Sequence, residues 1–461
     1  MENSQPKLDP VMLKKISPKY KEILPKSPTS MAINLIATSI LIFGFTVIKR
    51  YNISDVESAV FAMVSLALPI IILEYFFLKT YKRPSTGLNF TIKNATDTKR
   101  ITIKIIGLYG TIGFAALIYW LFPIYRTDFY DNYWIFIKYI ALILLVGGIP
   151  YFILLDKYLV EPSDGFWHFG MMLLGRWKEI NTKIIRQHVL GWVVKLFFLP
   201  LMFCFLIENL NYIKTTDFFT AMGFFPSLYD YMYNLIFTID LVFAGVGYLM
   251  TMKIFDSQVR TAEPTVLGWI VAIGCYQPFW NFFYGNYFNY DNNFYWGDLW
   301  SNIHPVYVIW GVTILLLLFI YVWATITFGI RFSNLTNRGI LTNGPYRFCM
   351  HPAYVSKNLS WWLISVPFIS QASPWEAVRL STLLLLFNII YYFRAITEER
   401  HLSQDPNYVK YGLAMNERSV FRGLYRIFPF LKYNPEKYLK QLEDYSEFTV
   451  PKVAGAVREN A

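Results

Sequence analysis

Cysteine and charged residues are both scarce in this chain. Its three cysteines, Cys204, Cys275 and Cys349, lie far apart without paired spacing, which argues against a disulfide framework or a zinc site. Only 16% of the 461 residues are charged, whereas 55% are hydrophobic and 19% are aromatic. A soluble domain carries more charge and fewer apolar residues. The composition therefore predicts a polytopic membrane protein.

The formal net charge of +11 does not indicate a nucleic-acid-binding protein. Lys and Arg lie between hydrophobic runs, where membrane topology and anionic lipid account for them, and no basic patch is interleaved with aromatic residues. The first thirty residues hold six lysines before any apolar run begins, unlike a cleavable signal peptide. We expect the first span to be retained as an anchor.

The apolar runs predict an all-α fold, a polytopic transmembrane helix bundle of about ten spans. Each run is long enough to be a candidate for crossing the hydrocarbon core as one helix. The predicted spans are 31–48, 56–78, 101–122, 133–155, 190–207, 231–254, 266–283, 306–328, 354–369 and 374–396.

The distribution of basic residues predicts that both termini are cytoplasmic. Lys and Arg are concentrated before the first predicted span and after the second, fourth, sixth and eighth. The opposite segments are poor in basic residues, and 284–303 contains neither Lys nor Arg. This asymmetry is the positive-inside pattern. We interpret the aromatic stretch 276–300 as an interfacial belt and assign it no chemistry.

Polar and turn-forming residues interrupt the apolar pattern between the eighth and ninth predicted spans. Asn343, Gly344 and Pro345 form a turn signal. His351 precedes Pro352, a proline suited to the first turn of the next helix. Free backbone N–H groups at that helix start, with His351 beside them, favour a carboxylate ligand. The alternative is a loop held only by helix caps.

Tyrosines beside this turn and charged residues at the end of the last span are further candidates for ligand binding. Tyr346 and Tyr354 could stack on a heterocycle or act as interfacial anchors. Arg394 and Glu398 lie four residues apart on one helix face. Glu398 and Glu399 could accept hydrogen bonds from ribose hydroxyls or bind a cation, although acidic pairs at helix ends are usually solvated.

Helix signals place these charged residues at the membrane surface. Ser373, Pro374 and Glu376 occupy the cap, first and third positions of a helix over 374–402. Such a helix would be about 43 Å long, so its last two turns should extend beyond the hydrocarbon core. The charge asymmetry then puts both polar clusters on the cytoplasmic side.

Taken together, these motifs resemble the isoprenylcysteine carboxyl methyltransferase family and its phospholipid methyltransferase relatives. The resemblance covers 329–432, about a quarter of the chain. It rests on Gly-Pro-Tyr-Arg at 344–347, His-Pro-x-Tyr at 351–354, Phe-Arg-x-x-Thr-Glu-Glu at 393–399, Tyr-x-x-Tyr at 408–411 and Arg-x-x-Pro at 426–429.

The resemblance implies an S-adenosylmethionine-dependent methyltransferase that acts on a lipid or lipidated acceptor and uses no metal. Arg394 and Glu399 are the implied catalytic residues, with Arg394 where cofactor and acceptor meet. Methyl transfer from a sulfonium requires an in-line approach and a dry site, and aromatic faces suit the adenine and the sulfonium cation. The implied cofactor-binding residues are Tyr346, His351, Pro352, Tyr354, Glu398 and Glu399.

Three positions depart from the family pattern. Met350 stands directly before His-Pro, where the family usually has arginine, and Arg347 could supply that charge. Ser356 stands where a small residue, often glycine, is usual. The spacer from Glu399 to Tyr408 is shorter than usual and lacks the family's Phe-Gly.

The chain divides into four predicted segments. The first three hundred residues lie outside the resemblance, and their expected role is structural or a housing for a lipid acceptor. The segments are a cytoplasmic N-terminal segment (1–30), a membrane helical domain of about seven spans (31–300), a methyltransferase-like membrane domain with a cytoplasmic site (301–433) and a C-terminal tail (434–461).

Two other classes of function remain compatible with the sequence. A membrane NAD(P)H-dependent reductase of the sterol-reductase type would also have about ten spans, although its Arg-Asp-type acidic motif and its Cys-x-x-Lys-Tyr-Gly run are not found. A non-catalytic transporter or scaffold is the third class, for which Met350 and the intramembrane Asp240 are the relevant features. The expected partners are the acceptor and membrane lipids, in the plasma or endoplasmic reticulum membrane.

Overall fold

The computed structural model describes residues 24–92, 96–291, 294–300, 303–370 and 372–438. Within these ranges the chain is mostly helical, with one short sheet in which β1 (Thr261–Ala262) pairs antiparallel with β2 (Thr336–Asn337). The helices are α1 (Met31–Tyr51), α2 (Asp55–Phe77), α3 (Thr98–Leu121), α4 (Asp131–Asp156), α5 (Gly165–Leu173), α6 (Thr182–Thr215), α7 (Phe218–Ala221), α8 (Phe225–Leu249), α9 (Val266–Ile273), α10 (Phe279–Phe283), α11 (Trp296–Trp300), α12 (His304–Phe328), α13 (Pro352–Ser365), α14 (Pro374–Leu402), α15 (Pro406–Arg418) and α16 (Leu424–Ile427).

Eight of these helices are long and apolar enough to cross a membrane, counted over the described residues. They are α1, α2, α3, α4, α6, α8, α12 and α14, and each coincides with one of the predicted spans. The prediction of an all-α, multi-pass membrane protein is therefore confirmed.

The other two predicted spans are not single long helices: the prediction of one continuous helix is wrong at 266–283, whereas at 354–369 one helix forms but is shorter than predicted. At 266–283 the chain leaves α9 after Ile273, and α10 begins only after Pro278, which cannot donate to a helical ladder. At 354–369 the helix is α13, whose 14 residues end where Val366 adopts a left-handed φ of 42°. A helix of that length covers about 21 Å, less than the hydrocarbon core.

The start of α14 follows the predicted capping pattern. Ser373 is the N-cap, and its Oγ accepts a hydrogen bond from the backbone N–H of Glu376 at 3.2 Å. Pro374 occupies the first turn, where its missing N–H has no helical partner to lose. The helix continues to Leu402, as the sequence predicts.

The described chain forms two compact units. Unit 1 comprises 24–31, 265–327 and 339–438, and unit 2 comprises 32–264 and 328–338. Residues 265–300, which the predicted domain boundaries group with the first seven spans, lie in unit 1. Residues 434–438 of the predicted tail also belong to unit 1.

Unit 2 contains a fully buried ion pair between Glu74 of α2 and Arg331, which lies in the short turn Gly329–Arg331. Arg331 Nη1 donates to Glu74 Oε1 at 3.0 Å, and Arg331 Nη2 lies 2.9 Å from Glu74 Oε2. Arg331 also donates to the backbone carbonyls of Phe255 and Asp256 at 3.0 Å. Arg338 is likewise buried in unit 2, where it donates to backbone carbonyls such as that of Gly247.

Candidate functional site

Helices α13 and α14 form an antiparallel hairpin within unit 1. Trp362 Nε1 donates to Asn388 Oδ1 at 2.7 Å, and Asn388 Nδ2 donates to Asn358 Oδ1 at 2.5 Å. The first turn of α13 therefore lies beside the last turns of α14. This arrangement brings together the two polar clusters, which are separated in sequence by the whole hairpin.

His351 and Glu399 are joined at this end of the hairpin. His351 Nε2 lies 3.0 Å from Glu399 Oε1, and the Tyr438 hydroxyl donates to Glu399 Oε2 at 2.7 Å. Glu399 is only 7% exposed, and each of its two carboxylate oxygens has a partner, as is usual for a buried polar group. The main-chain carbonyl of Glu399 accepts a hydrogen bond from Ser403 Oγ at 2.6 Å.

The surroundings of His351 favour its protonated form. Burial alone lowers the pKa of the imidazole, but the hydrogen bond and charge of Glu399, together with the charge of Glu398, outweigh burial and raise that pKa above 6.5. His351 is also the N-cap of α13 without using its side chain for capping. The imidazole is therefore oriented by Glu399 rather than by the helix start.

Tyr354 and Glu398 form a second pair next to the first. The Tyr354 hydroxyl donates to Glu398 Oε2 at 2.7 Å. The Tyr354 ring is nearly parallel to the His351 ring, at an interplanar angle of 4° and a centroid distance of 5.6 Å. The rings of His351 and Tyr354, at the start of α13, thus lie next to the carboxylates of Glu398 and Glu399 near the end of α14.

Arg394 lies among three tyrosine rings. Its Cζ is 4.9 Å from the ring centroid of Tyr391, 5.1 Å from that of Tyr354 and 5.8 Å from that of Tyr276. These distances are within the range of cation–π attraction. Because Arg394 is only 6% exposed, the aromatic rings replace much of the water that a guanidinium would otherwise hold.

The remaining predicted site residues contribute mainly through the backbone and packing. Pro352 is buried in the first turn of α13. Tyr346 is half-buried against an apolar cluster that contains Met350 and Tyr411, and its carbonyl accepts a hydrogen bond from the Tyr411 hydroxyl at 2.8 Å. The Tyr-x-x-Tyr motif of α15 thereby fixes the loop before α13.

Met350 and Arg347 have different surroundings from those that the family pattern suggests. Met350 is buried in the apolar cluster formed with Tyr408, Tyr411 and Met415, so its side chain fills space there. The side chain of Arg347 is exposed at the surface. The cationic side chains next to the two glutamates are therefore the buried Arg394 and the half-buried His351.

The turn before α13 is held by the N-terminal segment. Asn343 Nδ2 donates to the Thr29 carbonyl at 2.9 Å, and Ser27 Oγ donates to Asn343 Oδ1 at 3.0 Å. Thr29 Oγ1 in turn donates to the Thr327 carbonyl at the end of α12, at 2.8 Å. Gly344 has a left-handed φ of 55°, and a Cβ there would lie 2.4 Å from Thr327 Oγ1.

Replacing Gly344 by alanine should therefore destabilise this turn. The left-handed conformation costs an L-residue about 1–2 kcal/mol, and the clash with Thr327 adds to that cost. Thermal denaturation in detergent measures the loss. The control is Gly423→Ala, since Gly423 has a φ of −66° and nothing within 4 Å of a Cβ. Equal stability of the two variants would contradict the expectation.

Sequence reasoning missed three tyrosines of this site. Tyr276 lies in the stretch that was assigned no chemistry, Tyr391 lies within an apolar span, and Tyr438 lies beyond the resembling region. Tyr391 could have been found from its spacing, because it precedes Arg394 by about one helical turn and therefore lies on the same helix face. Tyr276 and Tyr438 carry no local signal, since their contacts depend on the folded chain.

The cluster brings together two carboxylates, an imidazole, a guanidinium and tyrosine rings. Over the described ranges, there is no group of three or more His, Cys, Asp or Glu side chains that could hold a metal. No family model matches this chain, and no curated protein or solved structure is significantly similar to it.

Proposed function

We propose that this protein is an integral membrane S-adenosylmethionine-dependent methyltransferase that acts on a lipid or lipidated acceptor. The observation that carries the proposal is the assembly of His351, Tyr354, Arg394, Glu398 and Glu399 at one end of the α13–α14 hairpin. These residues come from both halves of the resembling motif, and they provide donors, acceptors and aromatic faces in a largely buried setting.

The side chains fit the groups of this cofactor in three ways. An imidazolium at His351 suits the carboxylate of the methionine moiety, because a charge-assisted hydrogen bond is stronger than a neutral one. Glu398 suits ribose hydroxyls, and its bond to Tyr354 fixes its orientation. The Tyr354 ring, which lies parallel to the His351 ring, offers a face for the adenine or for a sulfonium.

Glu399 acts in this proposal as a positioning residue. Both of its oxygens are engaged, one by His351 and one by Tyr438, so it holds the imidazole in place and keeps it charged. The bound cofactor would supply a methyl group on a positively charged sulfur. Arg394 would orient a polar acceptor group for in-line attack, and the surrounding tyrosines would limit the access of water.

An apolar acceptor is favoured by the packing next to Arg394. Tyr391, Phe387 and Leu384 are buried along α14 and lead from the charged cluster into the candidate span. A lipid or a lipidated residue could lie with its polar end at Arg394 and its chain toward the membrane. A water-soluble acceptor would not need the row of apolar side chains that leads from Arg394 into the span.

We also propose that the site faces the cytoplasm and that α13 and the α9–α10 segment complete a ten-span topology. The α9–α10 segment runs alongside α14. Arg400 donates to Thr265 Oγ1 at one end, and the Trp280 ring packs against the Phe387 ring further along, with centroids 4.8 Å apart. An even number of spans and the distribution of Lys and Arg then place both termini and the site on the cytoplasmic side.

Ligand binding to the purified protein in detergent tests the proposed function. We expect S-adenosylhomocysteine to bind and to compete with S-adenosylmethionine, and NADPH not to bind. His351→Ala should weaken S-adenosylhomocysteine binding by roughly 10- to 100-fold, the value of a charge-assisted hydrogen bond. His304→Ala is the control, since His304 is exposed at the start of α12.

The three possible outcomes separate the three classes of function. Binding of NADPH alone would favour a reductase, and binding of neither ligand by folded protein would favour a transporter or scaffold. Equal affinity of the His351→Ala and His304→Ala variants would show that the site is elsewhere. Circular dichroism of each variant distinguishes lost binding from lost fold.

A further inference from the structure

The segment 420–432, which we name the tail anchor, exposes apolar and basic side chains together. Val420, Ile427 and Phe430 are 65%, 70% and 62% exposed, although burial of such side chains is normally favourable. Leu424 and Phe428 are also exposed, at 40% and 43%. Apolar exposure of this extent in one short segment indicates a surface that is covered by something else.

The position of the tail anchor beside α14 indicates what covers it. The Phe430 ring packs against the Tyr392 ring at a centroid distance of 6.0 Å, and the Tyr392 hydroxyl lies 3.5 Å from the Phe430 carbonyl oxygen. Tyr392 lies about 27 Å along α14 from Pro374, close to the thickness of the hydrocarbon core, about 30 Å. Phe430 is therefore level with the boundary between acyl chains and head groups.

The charge of the tail anchor distinguishes a membrane from a second copy of this chain. Arg422, Arg426 and Lys432 are exposed, and the segment contains no Asp or Glu. A symmetric contact between two such segments would bring like charges together. Anionic phospholipids complement the same charges, and basic residues near such a surface are attracted to it.

We propose that the tail anchor is a lipid-binding surface that lies in the membrane interface. Ile427, Phe428 and Phe430 enter the boundary of the acyl chains, and Arg422 and Arg426 bind the phosphates of anionic phospholipids. The anchor would hold α15 and the end of α14 against the bilayer. This inference requires α14 to cross the membrane, and it does not depend on the proposed methyl transfer.

Fluorescence quenching by brominated lipid tests the proposal in the full-length protein. The protein with Ile427→Cys, labelled with an environment-sensitive dye, is placed in nanodiscs of phosphatidylcholine and phosphatidylserine. Asn407→Cys is the matched control, because Asn407 is exposed on the same tail. Unsubstituted protein gives the background from the three native cysteines. We expect quenching by brominated lipid to be several-fold stronger at position 427 than at position 407.

Charge variants test the role of the arginines. In the labelled Ile427→Cys protein, Arg422→Glu/Arg426→Glu should lower the quenching several-fold in anionic nanodiscs, whereas Arg422→Lys/Arg426→Lys should retain it. Equal quenching at positions 407 and 427, or equal quenching in both charge variants, would overturn the proposal. Energy transfer between labelled copies with no lipid quenching would assign the surface to a second copy instead.

Discussion

Glu399→Gln is expected to lower the affinity for S-adenosylhomocysteine by roughly 10- to 100-fold near neutral pH, the loss associated with one charge-assisted hydrogen bond. Glutamine keeps the shape of the side chain and can still bond to Tyr438 and His351. It removes the negative charge, however, which is the reason that the His351 imidazole stays protonated. We therefore expect a loss of ligand affinity with little change in packing.

The pH dependence follows from the pKa of His351. Burial lowers this pKa, and Glu399 and Glu398 raise it above the ordinary 6.5. In the unsubstituted protein, the imidazolium and the stability it contributes are fully present below pH 6.5 and are lost as the pH rises through the raised folded-state pKa. Without the charge of Glu399, burial lowers the pKa of His351 with less opposition. The imidazolium should then be lost at a lower pH in Glu399→Gln than in the unsubstituted protein.

The measurement is the affinity for S-adenosylhomocysteine of both proteins across this pH range. Glu436→Gln is the control, because Glu436 is exposed in the same unit. We expect its pH profile to match that of the unsubstituted protein. If the Glu399→Gln profile also matched, the imidazole of His351 would not be the group that binds the ligand.

Arg331→Met should destabilise the protein by about 3–5 kcal/mol, the cost of removing one partner of a buried ion pair. Glu74 would then remain as a buried carboxylate without its cation, and the carbonyls of Phe255 and Asp256 would lose their donor. Within a candidate membrane span, water cannot readily replace that donor.

Denaturation in detergent measures this effect. The control is Arg379→Met, which removes an equally close ion pair: Arg379 Nη2 lies 2.6 Å from Glu376 Oε1, but its side chain is 58% exposed. Little change is expected there because water solvates both charges. The double variant Arg331→Met/Glu74→Met should recover much of the lost stability. If it were no more stable than Arg331→Met, the unpaired carboxylate would not be the cause.

The candidate site was partly visible in the sequence. His351, Tyr354, Arg394, Glu398 and Glu399 were all predicted, because motif spacing and the positive-inside pattern put them at one membrane surface. Their pairing could not be predicted: His351 joins Glu399, whereas Tyr354 joins Glu398. Which carboxylate meets which donor depends on the rotation of α14 against α13, and sequence periodicity leaves that rotation undetermined.

Met350 is a second case in which the structure shows what the sequence could not. In the sequence, Met350 stands where the resembling family usually has an arginine, and the sequence does not show how this difference affects the site. In the structure, Met350 fills an apolar cluster with Tyr408, Tyr411 and Met415, and the buried cation is Arg394 instead. The contacts of a side chain, rather than its place in a motif, determine whether a substitution leaves a gap or an unmet charge.

The sequence by itself determined the membrane class, eight of the long helices, the capped start of α14 and the turn at Gly344. These features depend on composition and on residues within a few positions of each other. Only the tertiary structure decided the pairing of His351 with Glu399 and of Tyr354 with Glu398, and the contacts of Tyr276 and Tyr438 with the site. Those features depend on packing between segments that are distant in sequence, which local patterns do not encode.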